Sequence, residues 1–263
     1  MELKLYQVDA FAGHIFAGNP AAVCPLDAWL DDELMQAIAS ENNLSETAFF
    51  VPDGEVFHIR WFTPTTEVDL CGHATLASAF VLYECLGYSG DKIDFFSRSG
   101  LLTVKQEKDS FYTLDFPAEP PLNCPVPDAI LAAFGVPPSQ CLKGEDYIVV
   151  FEDEEAIQSA QPDLEQLKKV DLRGVIITAP SSRYDFVARF FAPKFGIPED
   201  PVTGSAYTQL APYWAKRLGK TQLQARQLSR RGGDVTCSLE GTRALISGRA
   251  VKVFEGILTI PTH

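Results

Sequence analysis

One short stretch of the chain is apolar around every face of a predicted helix. Residues 71–83 have the sequence Cys-Gly-His-Ala-Thr-Leu-Ala-Ser-Ala-Phe-Val-Leu-Tyr, with no Asp, Glu, Lys or Arg before Glu84 and a glycine, Gly87, beyond the end. A helix that is apolar on all sides is buried, and this one is shorter than the about 20 residues of a membrane span. Its first turn combines a thiol and an imidazole with unpaired amides that favour an anion. The pattern predicts a buried central helix with reactive groups at its N-terminus.

The same pattern recurs in the second half of the chain. Residues 60–64, Arg-Trp-Phe-Thr-Pro, return as Arg-Phe-Phe-Ala-Pro at residues 189–193, and residues 71–74, Cys-Gly-His-Ala, return as Thr-Gly-Ser-Ala at residues 203–206. Two matches in the same order, with three residues inserted between them, indicate a duplicated unit of about half the chain. Each copy is predicted to hold an aromatic strand, a loop with proline and a buried helix opened by glycine. We expect the two copies to superpose.

Alternating apolar and polar positions predict strands along most of the remaining chain. The predicted strands are residues 3–11, 21–24, 48–51, 58–62, 92–96, 101–106, 111–116, 147–151, 175–179, 186–191, 224–229, 234–239, 244–248, 250–254 and 257–260. Further helices are predicted at residues 31–42, 128–134 and 204–218, and residues 13–20 and 192–201 are predicted loops. Many strands with few helices predict an α+β fold.

A proline-rich segment marks the predicted boundary between the halves. Residues 117–127 hold five prolines, a composition typical of a linker. The predicted domains are therefore an N-terminal lobe, residues 1–117, and a C-terminal lobe, residues 118–263, whose last strands are free to return to the first lobe.

Composition narrows the choice of partners and compartment. A net charge of -13 argues against binding to nucleic acid or to an anionic membrane, because both need clustered Lys and Arg. The first five residues lack the features of a signal peptide. Six cysteines without a Cys-x-x-Cys motif are typical of a reduced cytoplasmic protein, and four scattered histidines predict no metal site.

Glu46 is the first candidate for chemistry, because it lies between Ser45 and an apolar strand. Partial desolvation there raises a carboxyl pKa and suits the group to general acid or base work near neutral pH. A capping glutamate or a hydrogen-bonded surface glutamate is the alternative, and it is the commoner role for such a position.

The two predicted helix starts supply the other candidates. Cys71 and His73 flank a glycine, where the helix dipole lowers the pKa of either group, although a small buried cysteine and a capping histidine are the alternatives. In the second copy, Asp200 precedes a proline and is held extended, and Ser205 offers a hydroxyl. Capping by Thr203 or Ser205 is the alternative role there.

These stretches carry a family resemblance. Residues 18–23 (Gly-Asn-Pro-Ala-Ala-Val), 44–49 (Leu-Ser-Glu-Thr-Ala-Phe), 60–64, 69–75 (Asp-Leu-Cys-Gly-His-Ala-Thr) and 199–206 (Glu-Asp-Pro-Val-Thr-Gly-Ser-Ala) resemble the phenazine-biosynthesis PhzF-like family, relatives of diaminopimelate epimerase. The resemblance spans the whole chain. It implies two pseudo-equivalent lobes, each a curved antiparallel sheet around a central helix, with the active site between the lobes.

The resemblance also implies roles for the candidate residues. It implies a cofactor-free isomerase in which Glu46 is the proton-transferring acid/base, supported by His73 and Asp200. The predicted substrate-binding residues are Gly72, Gly204, Ser205, Asn19 and Cys71, with the two glycines at the helix starts whose amides hold a substrate carboxylate. A homodimer is the assembly that the family suggests.

The chain departs from its epimerase relatives at one position. Those relatives place a cysteine at both helix starts as a pair of bases, whereas Cys71 here is matched by Thr203. We therefore expect a single carboxyl to move a proton, and a double bond, on a small carboxylate substrate. Two other functions stay open: an amino-acid racemase or epimerase that uses Cys71, and a non-catalytic protein that binds a small molecule.

Overall fold

The computed structural model of the protein describes residues 1–260, which divide into two compact units. Unit 1 comprises Met1–Asp115 and the terminal segment from Ser247 onward, and unit 2 comprises Phe116–Ile246. Strands far outnumber helices, so the predicted α+β class is confirmed. Within residues 1–260, none of the helices has the length and apolar character that crossing a membrane requires.

The first part of the chain forms eight strands and two helices. The strands are β1 (Glu2–Ala10), β2 (Asn19–Pro25), β3 (Glu46–Asp53), β4 (Val56–Phe62), β5 (Glu67–Val68), β6 (Lys92–Ser97), β7 (Gly100–Gln106) and β8 (Phe111–Pro117). The helices are α1 (Asp32–Asn42) and α2 (Gly72–Phe80), and a π-helical turn, Val81–Cys85, continues α2. Acidic Asp32 and Glu33 occupy the first turn of α1, where they oppose the positive end of the helix dipole.

The second part of the chain forms nine strands and four helices. The strands are β9 (Leu122–Asn123), β10 (Gln140–Lys143), β11 (Tyr147–Val150), β12 (Val175–Pro180), β13 (Phe186–Ala192), β14 (Ile197–Asp200), β15 (Gln222–Gln227), β16 (Gly233–Glu240) and β17 (Arg243–Thr259). The helices are α3 (Asp128–Phe134), α4 (Glu154–Ser159), α5 (Leu164–Leu167) and α6 (Tyr207–Leu218), which follows a single 3-10 turn, Gly204–Ala206.

The two units repeat one order of strand pairings. In unit 1, β1–β2 is antiparallel, β2–β3 parallel, β3–β4 and β4–β5 antiparallel, β4–β6 parallel and β6–β7 antiparallel. In unit 2, β10–β11 is antiparallel, β11–β12 parallel, β12–β13 and β13–β14 antiparallel, β13–β15 parallel and β15–β16 antiparallel. The two copies of the arginine-containing motif thus begin on matching strands, β4 and β13.

In each unit, the helix that follows the duplicated motif packs against the strands. In unit 1 every residue from Gly72 to Ala79 of α2 is buried, and the helix contacts β1, β2, β3 and β7. This is the environment that an all-round apolar helix requires. In unit 2 helix α6 contacts β15 and β16, with Trp214 fully buried and stacked on Phe186.

Several element boundaries differ from the sequence predictions. The three strands predicted after residue 243 are one continuous strand, β17, because Gly248 does not break it; a Cβ at that glycine would lie 2.3 Å from Cδ1 of Phe11. Strand β2 begins inside the predicted loop, at Asn19, and β3 begins at Glu46. The predicted loop of residues 192–201 contains strand β14.

Candidate active site

Glu46 is the first residue of β3 and lies opposite Ala21 of the parallel strand β2. Its side chain is only 12% exposed, and the residues that follow it, from Thr47 to Phe50, are buried. The apolar strand therefore holds this carboxyl at the margin of the core. Partial desolvation of Glu46, expected from its neighbours in the sequence, matches this burial.

His73 is the second residue of α2, and its imidazole faces Glu46. Nε2 of His73 lies 3.2 Å from Oε2 of Glu46, although the approach is not in hydrogen-bonding geometry. Burial lowers the pKa of His73 to about 3. The imidazole is therefore neutral at physiological pH, with one nitrogen protonated and the other an acceptor.

A hydrogen-bonded chain determines which nitrogen of His73 carries the proton. The hydroxyl of Ser45 donates to Oδ1 of Asn19 at 3.1 Å, which directs the amide Nδ2 of Asn19 toward Nδ1 of His73, 3.2 Å away. Because the amide is the donor, Nδ1 is the acceptor. The proton is therefore on Nε2, the nitrogen that faces Glu46.

Asn19 is placed by the turn that precedes it. It is fully buried, and Gly18 before it has a φ of +62°, with no space for a side chain because a Cβ would lie 2.1 Å from the carbonyl oxygen of Ala10. The buried carboxylate of Asp9 accepts a hydrogen bond from the Phe16 amide at 2.6 Å, across the same loop. The Gly-Asn-Pro motif thus fixes an amide donor at the imidazole.

Cys71 immediately precedes α2, in extended conformation, and does not cap the helix with its side chain. Its thiol is buried, with Sγ 3.6 Å from Nδ1 of His73. Its carbonyl accepts a hydrogen bond from the Thr75 hydroxyl at 2.6 Å, which anchors the first turn. The thiol and the Asn19 amide therefore approach the same nitrogen of His73.

Three side chains of types that can bind a metal lie close together at the start of α2. One ligand atom each from Glu46, Cys71 and His73 all lie within 4.8 Å of one another. A carboxylate, a thiolate and an imidazole are ligands that zinc accepts. The sequence pattern predicts no metal site. Because three candidate ligands nevertheless lie close together here, metal titration can test that prediction.

The equivalent helix start in unit 2 has different chemistry. The hydroxyl of Thr203 donates to Oδ2 of Asp200 at 2.5 Å, so it is not a helix cap. Gln227, fully buried, accepts from the Thr203 amide at 3.0 Å and donates to the Asp200 carbonyl at 2.8 Å. Ser205 is half-buried, makes no capping bond, and its carbonyl accepts from Thr208.

Both helix starts are preceded by the same ion pair. Arg60 donates from Nε and Nη2 to the two carboxylate oxygens of Glu67 at 2.7 and 2.8 Å, and Arg189 does the same to Glu199 at 2.7 and 3.1 Å. Bidentate pairs of this kind fix geometry as well as charge. Their spacing differs by the three residues inserted in the second copy, so the insertion lies between the arginine and the glutamate.

Strand register identifies what unit 2 has in place of the catalytic candidate. Thr47 pairs with Phe62 in unit 1, and Val175 pairs with Phe191 in unit 2. The equivalent positions are therefore Thr47 and Val175. The residue before each is Glu46 in unit 1 and Gly174 in unit 2, so Gly174 occupies the position of Glu46. A Cβ at Gly174 would lie 2.6 Å from Cζ of the Phe190 ring and 2.9 Å from the Phe191 carbonyl oxygen, so a side chain here would require these neighbours to shift.

The structure thus groups the predicted residues by unit. Glu46, His73, Asn19 and Cys71 cluster in unit 1, while Asp200 lies beside Thr203 in unit 2, next to Gly204 and Ser205 in the chain. The sequence analysis assigned no role to Ser45, which orients the Asn19 amide, or to Gln227, which bonds to Thr203 and Asp200. Ser45 does lie within the Leu-Ser-Glu-Thr motif, which is the one signal for it.

Comparisons of the sequence and of the structure with known proteins point to one family. A family model described as phenazine biosynthesis-like protein (PhzC-PhzF) matches residues 8–256. The chain is 55% identical to an uncharacterized isomerase of Pseudomonas aeruginosa, over 98% of this chain and 99% of that one, and 43% identical to an uncharacterized isomerase of Halalkalibacterium halodurans, over 99% and 100%. A crystal structure of a phenazine biosynthesis protein, PhzF family, from Enterococcus faecalis is 47% identical, with a TM-score of 0.96 over 99% of this chain and 100% of that one.

Proposed function

This chain belongs to the phenazine biosynthesis-like (PhzF) family and is an isomerase, and on that premise we propose that Glu46 is its single acid/base. The carboxylate takes a proton from an activated carbon of the substrate. The same carboxyl returns the proton to another carbon, and a double bond moves between them. No atom or electron is gained or lost in the cycle, so the chemistry needs neither an oxidant nor a reductant, and we propose that it uses no cofactor.

The observation that carries this proposal is the Glu46–His73 contact. The imidazole is neutral, and the Ser45–Asn19 chain leaves its proton on Nε2, the nitrogen that lies 3.2 Å from Oε2 of Glu46. When this N–H and the carboxyl align during the reaction, the neutral donor supports the charged form of Glu46 without delivering a full positive charge. General acid/base catalysis by a positioned group contributes roughly 10²- to 10⁴-fold.

Asymmetry between the units supports a single base. Unit 2 has Gly174 at the strand position of Glu46 and a threonine, Thr203, at the helix position of Cys71. A threonine hydroxyl does not act as a base near pH 7, and a glycine offers no group at all. A two-base exchange at matched positions is therefore not available to these residues.

The substrate is proposed to be a small carboxylate. Unpaired amides at the start of a buried helix attract anions, and Gly72 and Gly204 open the two helical segments. We also propose that Asp200 and Ser205 contact the substrate. We further propose that the protein is cytoplasmic and a homodimer, with no cofactor and no nucleic-acid or membrane partner.

Deuterium uptake tests the proposal even before the substrate is identified. Pools of small carboxylic acids are incubated in heavy water with the wild-type protein or with Glu46→Gln, and mass spectrometry detects compounds that gain deuterium. We expect at least one acid to gain a deuterium or to appear as an isomer with the wild type alone. Equal uptake with both proteins would remove Glu46 from the mechanism.

An epimerase that uses Cys71 is the second candidate, favoured by the position of Sγ beside His73. It predicts the same deuterium uptake but a product that differs from the substrate only in configuration. Chiral chromatography of the labelled product separates the two functions. Tight binding of an acid with no uptake at all would instead indicate a non-catalytic binding protein.

A further inference from the structure

Two cysteines of unit 2, which the proposed mechanism does not use, lie in direct contact. Sγ of Cys124 is 3.6 Å from Sγ of Cys141, and both are free thiols. Their backbones are paired too, because the Cys124 amide donates to the Cys141 carbonyl at 3.0 Å. The next residues along, Asn123 and Leu142, are register partners of strands β9 and β10. The two thiols therefore project from directly opposed positions of an antiparallel pair.

The geometry points to a reversible oxidation site: we propose that Cys124 and Cys141 form an intramolecular disulfide when the protein meets a peroxide. Opposed residues of an antiparallel pair have Cα atoms roughly 4.5–5.5 Å apart, within the range that a disulfide spans. The sulfurs need to approach from 3.6 Å to a bond of about 2 Å, a side-chain movement.

The two thiols differ in a way that assigns them separate steps. Cys124 is half-buried, whereas Cys141 is buried in the apolar cluster of unit 2, where burial raises its pKa to about 12. Cys124, as thiolate, attacks one peroxide oxygen, gives a sulfenic acid and releases the other oxygen as water. Cys141 then attacks the sulfenic sulfur and displaces a second water. Two thiols are oxidised and hydrogen peroxide is reduced to two waters, so the step balances.

The cross-link adds a covalent tie to a segment that hydrogen bonds from the Ala118 and Glu119 amides already join to the rest of unit 2. Strand β9 has two residues, both exposed, and lies in the proline-rich segment before α3. A disulfide from Cys124 to β10 closes a ring of fewer than twenty residues and ties this segment to the strands of unit 2. Such a ring reduces the freedom of the unfolded chain, so the oxidised protein unfolds at a higher temperature.

Thiol counting and peptide mapping test the proposal on the full chain. After brief treatment with hydrogen peroxide, the protein should lose two of its six thiols, counted in denaturant, and dithiothreitol should restore both. No Lys or Arg lies between the two cysteines, so one tryptic peptide carries both and should be lighter by two hydrogen atoms. Cleavage at Asp128 should leave two peptides joined by the disulfide.

Three variants and one control sharpen the result. Cys124→Ser and Cys141→Ser should each abolish the loss of two hydrogens, while Cys85→Ser, at a half-buried cysteine of unit 1, should retain it. When the wild type is oxidised in denaturant, the disulfide between Cys124 and Cys141 should not form in preference to other pairs, because only the folded protein holds these two thiols together. The proposal is overturned if the wild-type peptide keeps its mass or gains oxygen atoms instead, or if Cys85→Ser loses the cross-link.

Discussion

At the start of helix α2, unit 1 gathers a carboxyl, an imidazole and a thiol, whereas the corresponding start in unit 2 gathers a threonine hydroxyl and an aspartate. The scaffolds beneath them match: the same order of strand pairings and a bidentate arginine–glutamate pair before each helix. Even the aromatic contact is repeated, since Arg60 lies 5.1 Å over Phe62 and Arg189 lies 5.0 Å over Phe191.

The two units differ in the side chains at two matching positions. Unit 1 has Glu46 and His73, and unit 2 has Gly174 and Ser205 at the matching strand and helix positions. The duplicated scaffold repeats its ion pair and differs in the polar groups at these matching positions. One scaffold can therefore carry different side chains at its two helix starts, and fold likeness alone does not assign a role to either.

The largest expected effect comes from removing the titrating proton of unit 1. Glu46→Gln preserves shape and hydrogen-bonding capacity, so the variant should fold and bind ligand normally. Its turnover of the acid identified by deuterium uptake should fall on the order of 10²-fold or more. The matched control is Glu145→Gln, which removes an exposed carboxyl of unit 2 and should leave the rate within about twofold. Near-wild-type turnover by Glu46→Gln would end the single-base mechanism.

The pH dependence of stability should contain a contribution from the His73 imidazole. Ser205, at the matching position of unit 2, has no group that titrates in this range. The unfolded chain binds a proton on this imidazole below about pH 6.5, while the folded protein binds it only near pH 3. Acid therefore favours the unfolded state, and the contribution of His73 to the free energy of unfolding should fall by about 1.4 kcal/mol per pH unit within that window. Above pH 6.5 the imidazole is neutral in both states and contributes no slope.

Urea unfolding of wild type and His73→Gln at several pH values measures this contribution. The variant lacks the titrating group, so the difference between the two curves should grow as pH falls from about 7 to about 4. Parallel curves would mean that the imidazole is protonated in the folded protein as well. Such a result would contradict the neutral-donor role proposed for it.

Gly174 tests whether unit 2 can accept any side chain at the position of Glu46. A Cβ there meets the Phe190 ring and a backbone carbonyl, so Gly174→Ala should lower the free energy of unfolding by about 1–3 kcal/mol. Gly13→Ala is the matched control, because a Cβ at Gly13 meets nothing within 4 Å. Its effect should stay within about 0.5 kcal/mol. An unchanged stability of Gly174→Ala would show that the ring moves aside and that unit 2 is not sterically closed.

How much of this comparison the sequence could predict depends on the range of each interaction. The apolar run of α2 and the duplicated motifs are local signals, and α3 is observed at its predicted residues, Asp128–Phe134. The contact of Ser45 with Asn19 joins residues far apart in the chain, which no periodicity reports. The position of Glu46 before an apolar strand makes it a candidate, and the family motifs give it the acid/base role.

The misplaced elements have physical causes as well. Proline-rich composition predicted a bare linker, yet β9 forms there because its two residues pair with β10. Gly248 looked like a strand end, but it is a close approach to Phe11, a tertiary effect. Superposition of the two units, expected from the duplicated motifs, stays a prediction, which the repeated strand pairings support.

Cys71 should matter far less than Glu46. Ser at this position keeps a donor near Nδ1 of His73 while it removes the thiolate, so Cys71→Ser should change turnover by no more than about threefold. A loss on the order of 10²-fold, with circular dichroism unchanged, would instead favour the epimerase. Thr203→Ser, at the matched position of unit 2, is the control, because it keeps the hydroxyl that donates to Asp200.

The smallest effect is expected from metal removal. Glu46, Cys71 and His73 could together bind zinc, but Nδ1 of His73 already accepts from the Asn19 amide and Nε2 carries the proton. A metal would have to displace the amide or the proton, and either change breaks the Ser45–Asn19–His73 chain. We therefore expect exhaustive dialysis against a chelator to leave the rate of deuterium exchange unchanged and added zinc to inhibit it only by occupying Glu46. If dialysis abolishes activity and one equivalent of zinc restores it, unit 1 holds a metal centre, and the difference between the two helix starts is metal binding rather than a single base.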